Sequence, residues 1–142
     1  MISQLTVFLE NEKGRLAAAC RVVSEAGINL HALNLADTAD FGVARMLCDT
    51  PEAAAKALRE AGYRATVTPV LAVRVPNAPG GLASLLESLD DRGVNVEYGY
   101  CFSVSADSAI DVLKIDGGES VESKLAEAGF EPVRAADLYR ID

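Results

Sequence analysis

The chain has 142 residues, half of them hydrophobic, enough for one ordinary domain or two small ones. Its net charge of −8 argues against nucleic acid, which is held by clustered Lys and Arg, and equally against an anionic membrane surface. Three cysteines, none in a Cys-x-x-Cys pair, argue against a disulfide framework or a zinc site, and reduced thiols fit a cytoplasmic protein.

Met1 to Gln4 lacks the charged start of a signal peptide, and no apolar stretch reaches membrane-spanning length. Leu5, Val7 and Leu9 alternate, which predicts a strand. After the loop Asn11 to Lys13, the residues Leu16, Cys20 and Val23 recur at helical spacing, and Gly27 is a natural stop. Ile28 to Leu35 reads as a second strand opened by Asn29, Thr38 to Asp40 as a turn, and Phe41 to Cys48 as the returning strand. Thr50 is placed as a helix N-cap, with Pro51 at the first helical position and Glu52 in the first turn. Ala54, Ala57, Leu58 and Ala61 make a buried stripe ending at Gly62, and Ala65 to Val70 is the next strand.

From Leu71 the scheme repeats. Leu71, Val73 and Val75 alternate; Leu82, Leu85, Leu86 and Leu89 form a helical stripe that stops at Gly93. Val96 to Val104 alternates, Ile110 to Ile115 returns, Val121, Leu125 and Ala128 line a helix, and a short strand follows Phe130. At an offset of 66 positions, Leu5, Asn11, Gly14, Leu16, Gly27 and Asn29 fall on Leu71, Asn77, Gly80, Leu82, Gly93 and Asn95. At an offset of 67, Asp49, Leu58 and Gly62 fall on Asp116, Leu125 and Gly129. The chain therefore reads as an internal repeat. Each copy has the order βαββαβ, which predicts an α+β fold: two ferredoxin-like domains, residues 1–69 and 70–142, each an antiparallel sheet with its helices on one face. With only Pro69 to punctuate the junction, the copies are expected to pack as a pseudo-dimer.

The informative loops are Asn11 to Leu16 and Asn77 to Leu82. Each joins a strand end, an Asn, a Gly and a helix start, where free backbone N–H groups and a partial positive charge suit a carboxylate. An Asn side chain offers both a donor and an acceptor, which suits a zwitterion. Plain turn chemistry also explains Gly14 and Gly80, and Asn11 and Asn77 also fit as residues that satisfy loop backbone.

Asn-x-x-Gly-x-Leu after a first strand, then Gly-Ile-Asn-Leu or Gly-Val-Asn-Val after the helix, resembles the ACT domain. The resemblance covers essentially the whole chain, as two copies, and is similar to small stand-alone tandem-ACT proteins of bacteria. It implies the βαββαβ fold, an amino-acid ligand held where ACT domains meet, and regulation of amino-acid metabolism. By position it implies that Asn11 and Asn77 touch the ligand, that Gly14 and Gly80 are the loop glycines, and that Asn29 and Asn95 reach across the interface. Leu9 and Val75 stand where serine-sensing members carry a polar residue, which favours a less polar amino acid. Lys13 replaces the loop proline that Pro79 preserves, so the two sites are expected to be unequal.

The candidate ligand-binding set is Asn11, Lys13, Gly14, Arg15, Leu16, Asn29, Leu30 and His31 in the first copy. In the second it is Asn77, Pro79, Gly80, Gly81, Leu82, Asn95, Val96 and Tyr98. His31, the only histidine, reads as an ordinary strand residue, with a place at the edge of the same pocket as the alternative. Arg15 at a helix start opposes the helix dipole, which hints at a carboxylate partner, with solvent exposure as the default. No clustered acid, base or nucleophile supports catalysis, and no catalytic residue, metal ligand or cofactor is assigned. The sequence thus favours a non-catalytic amino-acid sensor that acts on a partner enzyme. The alternative is a ligand-free structural or oligomerisation subunit. Tyr98, Tyr100 and Phe102 on an apolar sheet face lead us to expect a homodimer.

Overall fold

The computed structural model describes residues 1–37 and 40–139. By its contacts the chain falls into two compact units. One comprises Ser3–Thr68 together with Tyr139; the other comprises Pro69–Leu138 together with Met1 and Ile2.

The first unit is built from β1 (Ile2–Glu10), α1 (Arg15–Glu25), β2 (Ala32–Asp37), β3 (Phe41–Leu47), α2 (Pro51–Glu60) and the first part of β4 (Arg64–Pro76). Its strands run in the order β2-β3-β1-β4. β3 is antiparallel to both neighbours, with Val7 opposite Ala44 and Ala44 opposite Leu35. Alternation in β1 sends Leu5, Val7 and Leu9 to one face, where they meet Ala19 and Val23 of α1 and Ala54, Ala55 and Leu58 of α2. Both helices therefore cover the same face. Small alanines in the two helices let them sit close to the sheet, and burial of the aliphatic side chains supplies the main driving force.

The second unit repeats the plan with the rest of β4, α3 (Gly81–Asp91), β5 (Val96–Ser103), β6 (Ser108–Ile115), α4 (Gly118–Glu127), β7 (Glu131–Pro132) and α5 (Ala135–Leu138). β6 is antiparallel to β4 and β5, and β7 pairs on the other side of β4. Leu71, Val73 and Val75 form its core with Leu85, Leu89, Leu113, Ile115, Val121 and Leu125. The N-terminal ammonium of Met1 is paired with Glu122.

The α+β class and the antiparallel ferredoxin-like plan agree with the sequence reading. β4 runs unbroken through Val70, 13 residues from Arg64 to Pro76, as expected of a junction punctuated only by Pro69. Other local details differ. β2 begins only at Ala32, so Asn29, Leu30 and His31 are not strand residues. The ladder with β3 starts at the pair Ala32–Leu47, and the segment before it drops from the end of α1 with Ile28 and Leu30 packed against the core. Thr50 caps α2 by position but makes no side-chain capping bond; its hydroxyl donates to Asp49 Oδ1 at 3.5 Å. The turn expected at Thr38 to Asp40 lies, for residues 38 and 39, outside the described residues.

Candidate functional site

The two loops singled out by sequence have matching backbones. Gly14 has φ 86° and Gly80 has φ 88°, both in the left-handed region, and each is the N-cap of an 11-residue helix. An L side chain is strained there, so glycine is required by the turn itself. Neither helix carries a side-chain capping bond or an acidic residue in its first turn. α2 and α4 differ, because Glu52 and Glu119 sit in their first turns. The positive ends of α1 and α3 are thus the pair without a first-turn carboxylate.

Around these turns the polar groups are partly committed. Asn11 donates its backbone N–H to Asp40 O at 3.2 Å, and Asn77 donates its own to Asp107 O at 3.0 Å. The Asn77 amide Nδ2 also donates to Ser105 O at 3.1 Å, fastening the loop to the β5–β6 hairpin. Arg15 is exposed and pairs with two neighbouring carboxylates, Glu10 at the end of β1 at 3.2 Å and Glu12 of the loop at 3.6 Å. Gly81 is buried, and a Cβ there would lie 2.3 Å from Pro76 O, so its role is close packing of the helix start on β4. Lys13, Pro79 and Asn29 are exposed, and Leu16 is half-buried. The Asn95 backbone N–H is held by Asp116 Oδ1 at 3.0 Å.

His31 lies in the loop before β2, not on the strand. Its N–H donates to Leu47 O at 2.8 Å, and its ring packs on Tyr139 at 4.8 Å with a 47° tilt. Burial, then the neighbouring Cys48 and Asp49, hold the Tyr139 phenol well above its ordinary pKa. His31 thus packs against a side chain from the far end of the chain.

The first unit has a hollow of about 560 Å³ lined by Phe8, Leu9, Glu10, Arg15, Phe41, Val43, Tyr63 and Arg64, among others. The Arg64 guanidinium stands 5.8 Å over the Phe8 ring. Of the candidate set only Arg15 borders this hollow. The second unit has a smaller cleft of about 230 Å³, bordered by Leu82 and Val96 of the candidate set and also by Leu86, Gly99, Tyr100, Cys101, Asp111 and Leu113. Asp111 is 2% exposed. Burial raises its carboxyl pKa, and a hydrogen bond with Cys101 partly offsets that. Sequence reading missed Asp111, although one sign was visible: at the offset of 67 it replaces Ala44 at a core-facing position.

A family model described as an ACT domain pair matches residues 1–141. The chain belongs to this family. It is 36% identical to protein BT0572 of Bacteroides thetaiotaomicron, with a TM-score of 0.90 over 98% of this chain and 96% of that one. The regulatory subunit of aspartate kinase from Thermus thermophilus, in its ligand-free form, shares the ACT fold at 16% identity and a TM-score of 0.67, over 89% of this chain and 91% of that one. The corresponding subunit from Thermus flavus is 17% identical, with a TM-score of 0.64 over 87% and 88% of the two chains. Comparison with curated proteins returns no match. Among the described residues, no helix of this ACT pair is long and apolar enough to cross a membrane.

Proposed function

We propose that this ACT pair is a non-catalytic regulatory protein that binds an amino acid at its Gly14 and Gly80 loops. The supporting observation is the paired geometry of those loops. Each turns through a left-handed glycine into a helix whose first turn holds no acidic residue, which leaves a place for the ligand carboxylate. The rest of the candidate set, from Asn11 and Asn29 to Asn77, Asn95 and Tyr98, would contact the remainder of the ligand. Leu9 and Val75 before the loops favour an amino acid that is not strongly polar. Structural relatives include regulatory subunits of aspartate kinase, which supports a partner enzyme in amino-acid metabolism as the recipient of the signal. Ligand binding would bias the loop conformations, and the partner would read that bias. A cytoplasmic location accords with the free cysteines. The exposed side chains of Leu33, Leu35 and Phe41 support a homodimer, which sedimentation would test.

One observation favours a ligand-free structural subunit instead: the Asn77 amide is already engaged with Ser105. A thermal-shift screen against the twenty amino acids separates the readings, because a ligand bound to the folded state raises Tm by mass action. The sensor reading expects one or more apolar amino acids to raise Tm saturably, with the response weakened in Asn11→Ala, Asn77→Ala. If no amino acid shifts Tm, the structural reading replaces it.

A further inference from the structure

The two units diverge most sharply on the helix-facing side of their outer strands. Leu33 opposes Met46 and Leu35 opposes Ala44 in the first unit. At the matching ladder positions of the second, Gly99 opposes Leu113 and Cys101 opposes Asp111. A large side chain has become glycine, a leucine has become a thiol and an alanine has become a carboxylate.

These three exchanges together make a cleft. Leu113 packs over the Gly99 backbone, where a Cβ would lie 2.6 Å from Leu113 Cδ2, and Gly99, Leu113 and Leu82 and Leu86 of α3 line the cleft together. Asp111 forms part of the same lining, with its Oδ2 buried and without a hydrogen-bond partner among the described residues. The Cys101 thiol hydrogen-bonds the carboxyl group. Apart from Asp111, the titratable groups of the lining are Cys101 and Tyr100, and neither brings a positive charge. An unpaired carboxylate in apolar surroundings is costly, and the sister unit folds with Ala44 at that place, so the fold does not need it.

We propose that this cleft binds the ammonium group of a small aliphatic amine, with Asp111 as its counter-ion and Leu82, Leu86 and Leu113 around its hydrocarbon. The ammonium supplies the hydrogen-bond donors and the charge that Oδ2 lacks. The volume of about 230 Å³ suits a short branched or linear chain. At the matching position of the first unit Ala44 carries no charge and offers no counter-ion. The ammonium can be that of a free amine or of an apolar amino acid. The cleft shares Leu82 and Val96 with the candidate set of the Gly80 loop, but its charged group, Asp111, lies outside that set.

The test is an NMR amide-shift titration of the full chain with isobutylammonium chloride. It is run at about pH 8, where an alkylammonium keeps its proton. Neutral isobutanol and leucine are parallel ligands. The expected result is saturable shifts confined to α3, β5 and β6, with affinity reduced about tenfold or more in Asp111→Asn and for isobutanol. Leucine that competes with isobutylammonium identifies amino acids as a source of the ammonium; leucine that does not compete identifies free amines. Asp111→Ala, which installs the sister unit's residue, should stay folded and also lose binding. The proposal is overturned if isobutylammonium produces no saturable shifts, or if Asp111→Asn or isobutanol binds as tightly.

Discussion

The imidazole of His31 and the phenol of Tyr139 pack ring to ring at 4.8 Å, although they lie near opposite ends of the chain. Tyr139 is half-buried against the first unit, beside Cys48 and Asp49. Tyr139→Ala should therefore lower stability by about 2 kcal/mol, a value at the low end for losing an aromatic ring because the site is only half-buried. Urea unfolding followed by circular dichroism checks it; an unchanged midpoint would mean the contact contributes nothing.

Asp111 should make stability fall as pH rises. Its folded pKa is raised by burial, so the folded state holds the proton more tightly than the unfolded chain. The stabilising contribution of the protonated form is fully present below the ordinary value of 3.8 and is lost as pH rises through the folded value. Asp111→Ala removes this linkage. Near pH 7 the variant should be more stable than the parent by about 1–3 kcal/mol, and the gap should close in acid. Urea midpoints measured for both proteins from acid to neutral pH would show the convergence, and parallel curves would contradict it.

Gly81 and Gly80 are adjacent but constrained for different reasons. At Gly81 a Cβ meets the Pro76 carbonyl, so Gly81→Ala must push α3 away from β4. The expected loss is about 2 kcal/mol, the scale of overpacking. At Gly80 a Cβ meets nothing within 4 Å, and the cost is that of the left-handed backbone alone, about 1 kcal/mol. Thermal denaturation of the two variants should rank them in that order.

The three thiols should react in sequence. Cys101 is exposed, Cys20 is half-buried and Cys48 is buried. Burial also raises the pKa of Cys20 and Cys48, which lowers their thiolate fraction. A colourimetric disulfide reagent should titrate one thiol quickly at Cys101 and reach Cys48 only with denaturant. Protection of Cys101 in the native protein would be at odds with the open edge of β5.

The repeated fold was legible because its evidence is periodic. Leu5, Val7 and Leu9 against Leu71, Val73 and Val75 fix the core faces, and Gly14 and Gly80 demand the same turn in both copies. What the sequence hid was tertiary. Nothing local in Asn29 to His31 says that the segment stays out of the sheet, where Leu30 packs on the core and the His31 ring meets Tyr139. The carboxylate partner of Arg15 could be anticipated from the helix dipole, but not that Glu10 and Glu12 would provide it. Asp111 was readable as an intrusion into the apolar run Ile110 to Leu113, and its meaning came from the cleft it lines with Leu82, Leu86 and Leu113.

The membership of the chain ends has a consequence for how this protein can be taken apart. Met1 and Ile2 group with the later half, and Tyr139 groups with the earlier one. A single scission between Thr68 and Pro69 therefore separates each unit from a piece that groups with it. The front fragment lacks the ring that seats on His31, and the back fragment lacks the amino terminus that meets Glu122. Although the duplication is plain in sequence, the copies are no longer interchangeable cassettes. Recombination that swaps one of them for a foreign homologue keeps these contacts by carrying along a graft from the opposite terminus.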